Sequence, residues 1–189
     1  MHDLFIRDAF HRATLRKYHE DKNSLVLDEF GINHGAIRAD IAVINGMLHG
    51  YEIKGDFDNL DRLPAQIEAY SAIFDKVTLV VSEKHLAASQ KIIPNWWGVT
   101  LVKLRKSGKP HFVLVRNAYS NKSINKLFLA KLLWRSEALE LLESLSPDTT
   151  FHKMDRETLY SQIVTRVSRT YLRKFVLLKL KKRKAWRDR

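Results

Sequence analysis

Between Arg38 and Lys54 the chain reads Arg-Ala-Asp-Ile-Ala-Val-Ile-Asn-Gly-Met-Leu-His-Gly-Tyr-Glu-Ile-Lys, and this stretch limits what the whole can become. Ile37 to Ile44 is β-branched and apolar apart from Arg38 and Asp40, the composition of a buried strand. Met47 to Lys54 reads as a second strand, and Asn45-Gly46 between them is a strong hairpin signal. A carboxylate inside an apolar strand is expensive unless a cation or strong donors compensate it. One hairpin later the chain supplies Glu52-Ile53-Lys54, so two carboxylates and a lysine converge.

Side-chain parity tests that convergence. Glu52 and Lys54 share one face of their strand and Ile53 takes the other. A two-residue Asn-Gly turn would set Asp40 opposite Tyr51, with Glu52 on the wrong face. A three-residue loop, Asn45 to Met47, would set Asp40 opposite Glu52 and Arg38 opposite Lys54. A bulge, for instance at Gly50, would restore the same parity. The sequence therefore predicts the longer loop or a bulge.

At these residues the chain resembles the PD-(D/E)XK nuclease superfamily, whose motif is an Asp on one strand and Asp/Glu-x-Lys on the next. Asp40 matches the first position, and Glu52 and Lys54 match the second. Alanine stands before Asp40 in place of proline, a departure that many members share. Glu-x-Lys alone is a weak pattern. Its context adds specificity: strand, Asp, turn, strand, Glu-Ile-Lys, then a helix carrying Gln66 and Tyr70. The resemblance covers the first two-thirds of the chain and extends to small bacterial proteins that carry this nuclease core.

Charge is unevenly placed. The chain of 189 residues has a net charge of +12. Residues 1–115 carry 15 Lys/Arg and 14 Asp/Glu, whereas residues 116–189 carry 18 and 7. A basic C-terminal part points to a polyanionic partner, most simply nucleic acid; a solvated helical face or a tail against acidic lipid are the alternatives. With 45% hydrophobic residues a core is readily built, and with no cysteine there is neither a disulfide framework nor thiolate chemistry. Charges break each apolar run well before membrane-spanning length and no signal peptide is evident, so the expectation is a cytoplasmic protein without a membrane partner.

In order, Asp3 to about Tyr18 reads as one helix, with Phe5, Ile6, Ala9, Phe10 and Ala13 as its apolar stripe and Asp3 as its N-cap. Asn23 to Phe30 is a short strand, followed by a loop from Gly31 to Gly35 and the hairpin. Leu60 to about Phe74 is a helix with Pro64 in its first turn, and Gln66 and Tyr70 lie one turn apart on one face. Lys76 to Ser82 is an interior strand, Lys84 to Ile92 a short helix, and Val99 to Leu104 and His111 to Val115 are further strands. Trp96 and Trp97 either stack bases or, more simply, pack under the sheet edge. Ser123 to about Leu145 reads as one helix, and Asp155 to about Lys184 as a long one with Leu159, Ile163, Val167, Tyr171 and Leu178 on its stripe. His34 and His49 are read as loop and sheet-surface residues. The fold class is α/β, an α+β mixed sheet. The resemblance specifies it as a restriction-endonuclease-like α-β-β-β-α-β core over residues 1–118, with a basic helical extension over 119–189.

The resemblance implies that Asp40 and Glu52, the carbonyl of Ile53 and an upstream acid hold Mg²⁺, for which Mn²⁺ substitutes. Hard oxygen ligands suit that ion. The upstream acid is Glu29, which precedes the hairpin, or Glu20 on the first helix; for both, a solvated surface carboxylate is the alternative. Gln66 would lie beside the metal, or else on the surface. Tyr70 would contact nucleic acid or belong to the core. Lys54 would position the attacking water or stabilise charge on the phosphorane. Arg38, Arg62 and the tail residues Lys181, Lys182, Arg183 and Lys184 would contact phosphates. The function that follows is hydrolysis of phosphodiester bonds in DNA, with a homodimer as a plausible state. Two other readings are a nucleic-acid-binding protein without turnover, and an interaction module whose Asp-Glu-Lys cluster is a structural ion network.

Overall fold

Six strands lie in one sheet in chain order, β1 to β6: Leu25–Ile32, Ile37–Ile44, Leu48–Lys54, Lys76–Ser82, Gly98–Leu104 and Pro110–Arg116. The structure is a computed structural model and describes residues 1–146 and 149–183. Strands β1, β2 and β3 are antiparallel neighbours, β3, β4 and β5 run parallel, and β6 returns antiparallel to β5. Helices α1 (Asp3–Ala13) and α2 (Arg16–Glu20) precede the sheet. Helices α3 (Leu63–Ile73) and α4 (Glu83–Ile92) make the crossovers that parallel strands require. The first part of the chain thus follows the order α-β-β-β-α-β in a mixed α/β fold, and helices α5 (Lys126–Ala130), α6 (Arg135–Leu145), α7 (Arg156–Arg166) and α8 (Arg169–Lys182) follow the sheet. None of the helices among the described residues is long and apolar enough to cross a membrane.

Strand alternation divides the interior in two. Ile41, Val43, Tyr51 and Ile53 face α1, where they bury Ile6, Phe10 and Leu15. Ala42, Ile44, Leu48, Leu79 and Val81 face α3 and the C-terminal helices, in one core with Leu129, Leu141, Tyr160 and Val176. Asp75 fastens α8 to this layer: its carboxylate takes two hydrogen bonds from Arg173, at 2.7 and 2.8 Å, and one from the Leu48 amide at 2.7 Å. Helix α3 lies close on β3 because Gly50 has no side chain. A Cβ there would stand 2.8 Å from the Phe74 ring.

The β2–β3 connection is the three-residue loop, with Ile44 paired to Leu48 and no bulge in the ladder up to Ile41–Tyr51. Gly46 takes the positive φ, +89°, that this loop needs.

Three predicted helices differ from the structure. The first is broken: α1 stops at Ala13, and Leu15 folds back as a fully buried residue beside Ile6 and Phe10. Five residues after Phe10 is off the helical stripe, so the helix must end for Leu15 to reach the core. Phe5 and Ala13 are exposed, the buried face being Ile6, Arg7 and Phe10, and His2 takes the N-cap position predicted for Asp3. The helix predicted over 123–145 is split at 131–134, where Leu132 and Leu133 turn inward and the Trp134 amide is capped by Glu137 at 2.8 Å. The long C-terminal helix is interrupted at Val167–Ser168, where the Ser168 side chain caps α8. That restart resets the helical phase. Leu172, Val176, Leu177 and Leu180 are buried, while Tyr171 and Leu178 are 48% and 49% exposed. Trp97 is fully buried and stacks on Tyr70 at 5.8 Å, the packing role.

Candidate functional site

The ladder between β2 and β3 ends at Ile41–Tyr51, and the site lies where the strands part. Beyond that point the Ile53 amide has a side-chain partner in place of a strand: it donates to Asp40 Oδ2 at 2.6 Å. A strand residue turns its N–H and C=O to the same side, so the Ile53 carbonyl also faces the opening. Asp40 therefore stands across from Glu52, as the loop length requires, but spans a gap instead of pairing with it.

Glu29 lies on the other side of Asp40, between the pairs Asp28–Ile41 and Phe30–Ala39. Its φ of +52° is left-handed, a conformation few non-glycine residues adopt within a strand. This twist reverses the alternation of β1. Leu25 and Leu27 pack toward the same core as Phe30 and Ile32, and on β2 Ala42 and Ile44 share it with Ala39 and Ile37. Glu29 and Asp40 occupy the reversal point on both strands.

Glu52 is 1% exposed and both of its carboxylate oxygens have hydrogen-bond partners. Oε1 accepts from Lys54 Nζ and from Gln66 Nε2, both at 2.6 Å, and the Tyr70 hydroxyl is bonded to Oε2. The same hydroxyl lies 2.9 Å from the Arg38 carbonyl. Gln66 and Tyr70 reach Glu52 together because they are one turn apart on α3. Tyr70 is fully buried, so it belongs to the core and supports Glu52, and its position as a nucleic-acid contact is corrected.

Arg7 and its partner Asp3, which sequence reading did not place at the site, complete the cluster. Arg7, only 8% exposed on α1, directs its guanidinium to Glu29 at 2.6 Å, Asp3 at 3.0 Å and Asp40 at 3.3 Å. The available signal was an arginine between Ile6 and Phe10 on an otherwise apolar helix face. These groups surround a cavity of about 410 Å³ that Arg38 and Arg62 also line. Both arginines are exposed, and Arg38 comes to 3.6 Å of Glu29 but makes no pair with Lys54. Glu20 lies elsewhere, in an exposed ion pair with Arg16, and does not line the cavity. Lys181 and Lys182 are exposed on the last turn of α8 and are not part of the cavity wall. Arg183 is bound to Glu137 and the Leu132 carbonyl, and Lys184 lies outside the described residues.

Burial, with the charge of Glu52 beside it, pushes the Asp40 carboxyl up to about 8. Burial also raises Asp3, and burial followed by the neighbouring Glu52 raises Tyr70. Four carboxylates, Asp3, Glu29, Asp40 and Glu52, thus share three cations, Arg7, Arg38 and Lys54. Fully ionised, the cluster has an excess of negative charge. Gln66 Oε1 is buried at the cavity without a partner. Hard oxygen donors and uncompensated negative charge fit Mg²⁺, with Asp40, Glu52 and the Ile53 carbonyl as the atoms to hold it. Among the described residues no group of three or more His, Asp or Glu side chains is already arranged around a metal position, and Arg7 is the cation that Glu29 and Asp40 now share.

Fold and cleft define a mixed α/β protein with a buried and a half-buried carboxylate, Glu52 and Asp40, where two strands separate. The chain belongs to the family described as Bacteriophage P4 protein cII, whose model matches residues 11–188. It is similar to Protein cII of Enterobacteria phage P4, at 28% identity over 161 residues that cover 85% of this chain and 60% of that protein. The chain therefore spans about 60% of the length of this curated relative. No solved structure matches it.

Proposed function

We propose that the protein is a metal-dependent nuclease of the PD-(D/E)XK type that hydrolyses phosphodiester bonds in DNA. The observation that carries this reading is the meeting of Asp40, Glu52 and Lys54 at one opening between β2 and β3. Bound Mg²⁺, or Mn²⁺ in its place, would supply charge neutralisation at the phosphate and a more acidic water. The chain's own groups do the rest. Asp40 and Glu52 fix the oxygen donors, and Gln66 and Tyr70 hold Glu52 in one orientation. Lys54 brings a buried ammonium to the point where negative charge develops on phosphorus oxygens. Arg38 and Arg62 meet the flanking phosphates at the rim. The cytoplasm is the compartment that suits a cysteine-free DNA-processing chain, and a homodimer would supply two sites for double-strand cleavage.

A second reading is favoured by one observation. Every carboxylate of the cluster already has a protein donor, Arg7 for Glu29 and Asp40 and Lys54 for Glu52, which suits a nucleic-acid-binding protein without turnover. The decisive assay is cleavage of linear, circular and branched DNA, and of RNA, with Mg²⁺, Mn²⁺ or EDTA. Wild type is expected to cut only with metal, and Lys54→Ala and Asp40→Ala to lose at least ~10²-fold in rate. Binding without cleavage under all conditions gives the second reading precedence.

A further inference from the structure

The cleft does not end at Gly35. That residue lines the candidate site on one side and, on the other, a groove of about 620 Å³ between the β1–β2 turn and the C-terminal helices. Its wall includes His34, Lys131, Trp134, Arg135 and Arg156. The turn between them is unusual: Asn33, His34 and Gly35 all have positive φ, at +48°, +59° and +88°. Non-glycine residues adopt this region rarely, so two in succession call for a compensating anchor. His34 provides it. Its ring stacks on Tyr160 at 5.8 Å and its Nδ1 lies 3.4 Å from Arg156 on the first turn of α7.

We propose that this groove holds a single strand of DNA leaving the cleft, an assignment that rests on the nucleic-acid reading of the site. The charges give the class of ligand. Lys131 is paired with Glu157, but Arg135 and Arg156 have no carboxylate partner among the described residues. Arg135 donates to the carbonyls of His152 and Met154, at 2.7 and 3.0 Å. Arg156 is exposed, and its charge is open to a phosphate. The size gives the form of the ligand. A groove of this volume lies in the range of small-molecule sites, room for about one or two nucleotides of a single strand. The half-buried Trp134 adds an aromatic side chain to the wall, one face of its ring covered at 4.3 Å by the Arg183 guanidinium that Glu137 neutralises. Gly35 and Asp40 are at most roughly 18 Å apart along the chain, with Arg38 between them. A strand whose scissile phosphate sat at Asp40 and Glu52 would pass Arg38 and enter the groove.

The test is fluorescence anisotropy of a 5′-labelled single-stranded DNA oligonucleotide and of its duplex, in EDTA, so that neither metal nor turnover enters. Arg156→Glu is expected to weaken single-strand binding about 10-fold at low salt and to lower the salt slope by about 1, leaving duplex affinity within twofold. Arg156→Lys is expected to retain most of the affinity. Circular dichroism and thermal melting of Arg156→Glu are expected to match wild type, since Arg156 is exposed and its side-chain hydrogen bond among the described residues is the 3.4 Å contact with His34. The proposal is overturned by no binding of the single strand, by unchanged affinity in Arg156→Glu, or by an equal loss for duplex. If the cleavage panel fails while the Arg156 result holds, hydrolysis is lost and the groove stands.

Discussion

Strand β3 carries two polar clusters, three residues apart and on opposite faces. On the α1 side, His49 lies 2.9 Å from Thr78 Oγ1 and 3.2 Å from the Tyr51 hydroxyl, with the two rings stacked at 4.2 Å. Burial drives the His49 imidazole down to about 3 and raises the Tyr51 phenol, so the cluster is neutral. On the α3 side, Glu52 and Lys54 join a set in which carboxylates outnumber cations. The second cluster, unlike the first, leaves a buried polar atom bare, Gln66 Oε1, and when fully ionised it holds one carboxylate more than its cations. Burial alone is thus no sign of function. An excess of carboxylates over cations beside a cavity is what sets the second cluster apart.

Substitutions should separate the two clusters, and the largest effect belongs to Glu52. Glu52→Ala strands the Lys54 ammonium in a buried site and is expected to cost about 3–5 kcal/mol. In a chain of this size that lowers Tm by roughly 6–20 °C, read by calorimetry. Glu52→Gln, which keeps partners for Gln66 and Tyr70, should lose less. Equal losses for the two would mean that shape, not charge, governs this cluster.

Next is the pH response of Asp40. Its folded carboxyl sits at about 8, against an unfolded value of about 3.9. The folded state holds a proton that the unfolded state releases, so stability falls as pH rises from about 4 to about 8. Asp40→Asn carries no such titration. Its advantage over wild type in thermal melts in EDTA should be larger at pH 8 than at pH 5, and Mg²⁺ should narrow the gap. Parallel pH profiles for the two proteins would show that Arg7 keeps Asp40 ionised throughout. The smallest effect is His49→Gln, which removes a neutral bond or two and should cost about 1 kcal/mol with little dependence on pH over 5–8. A loss rivalling that of Glu52→Ala would erase the distinction between the clusters.

What the sequence revealed follows from distance along the chain. Asp40, Glu52 and Lys54 are joined by one hairpin, so parity and loop length were enough to place two carboxylates across from one another. Gln66 and Tyr70 follow on the next helix at a readable spacing, and of the two roles open to Tyr70 its full burial against Trp97 selects the core. Arg7 was hidden because it reaches the site from 33 residues upstream of Asp40, across a helix–sheet packing that no local pattern encodes. Glu29 was named as an acid. Its left-handed backbone, which turns β1 over, depends on tertiary packing and leaves no mark in periodicity. The interrupted helices show the reverse limit: apolar spacing carried on through Leu132, Leu133 and Val167, where capping by Glu137 and Ser168 had already restarted the chain.

The bare backbone of Gly50 has a consequence for how this protein can change over generations. The Phe74 ring fills the space a methyl group would need, and that close seat lets α3 deliver Gln66 and Tyr70 to Glu52. Positions 50 and 74 are therefore not free to drift separately. A lineage that gains alanine at 50 must first, or at once, shrink the ring at 74, and one that trims Phe74 alone opens a void beneath the helix. Permitted histories run through the pair, and the order of steps decides whether the cleft keeps its shape along the way.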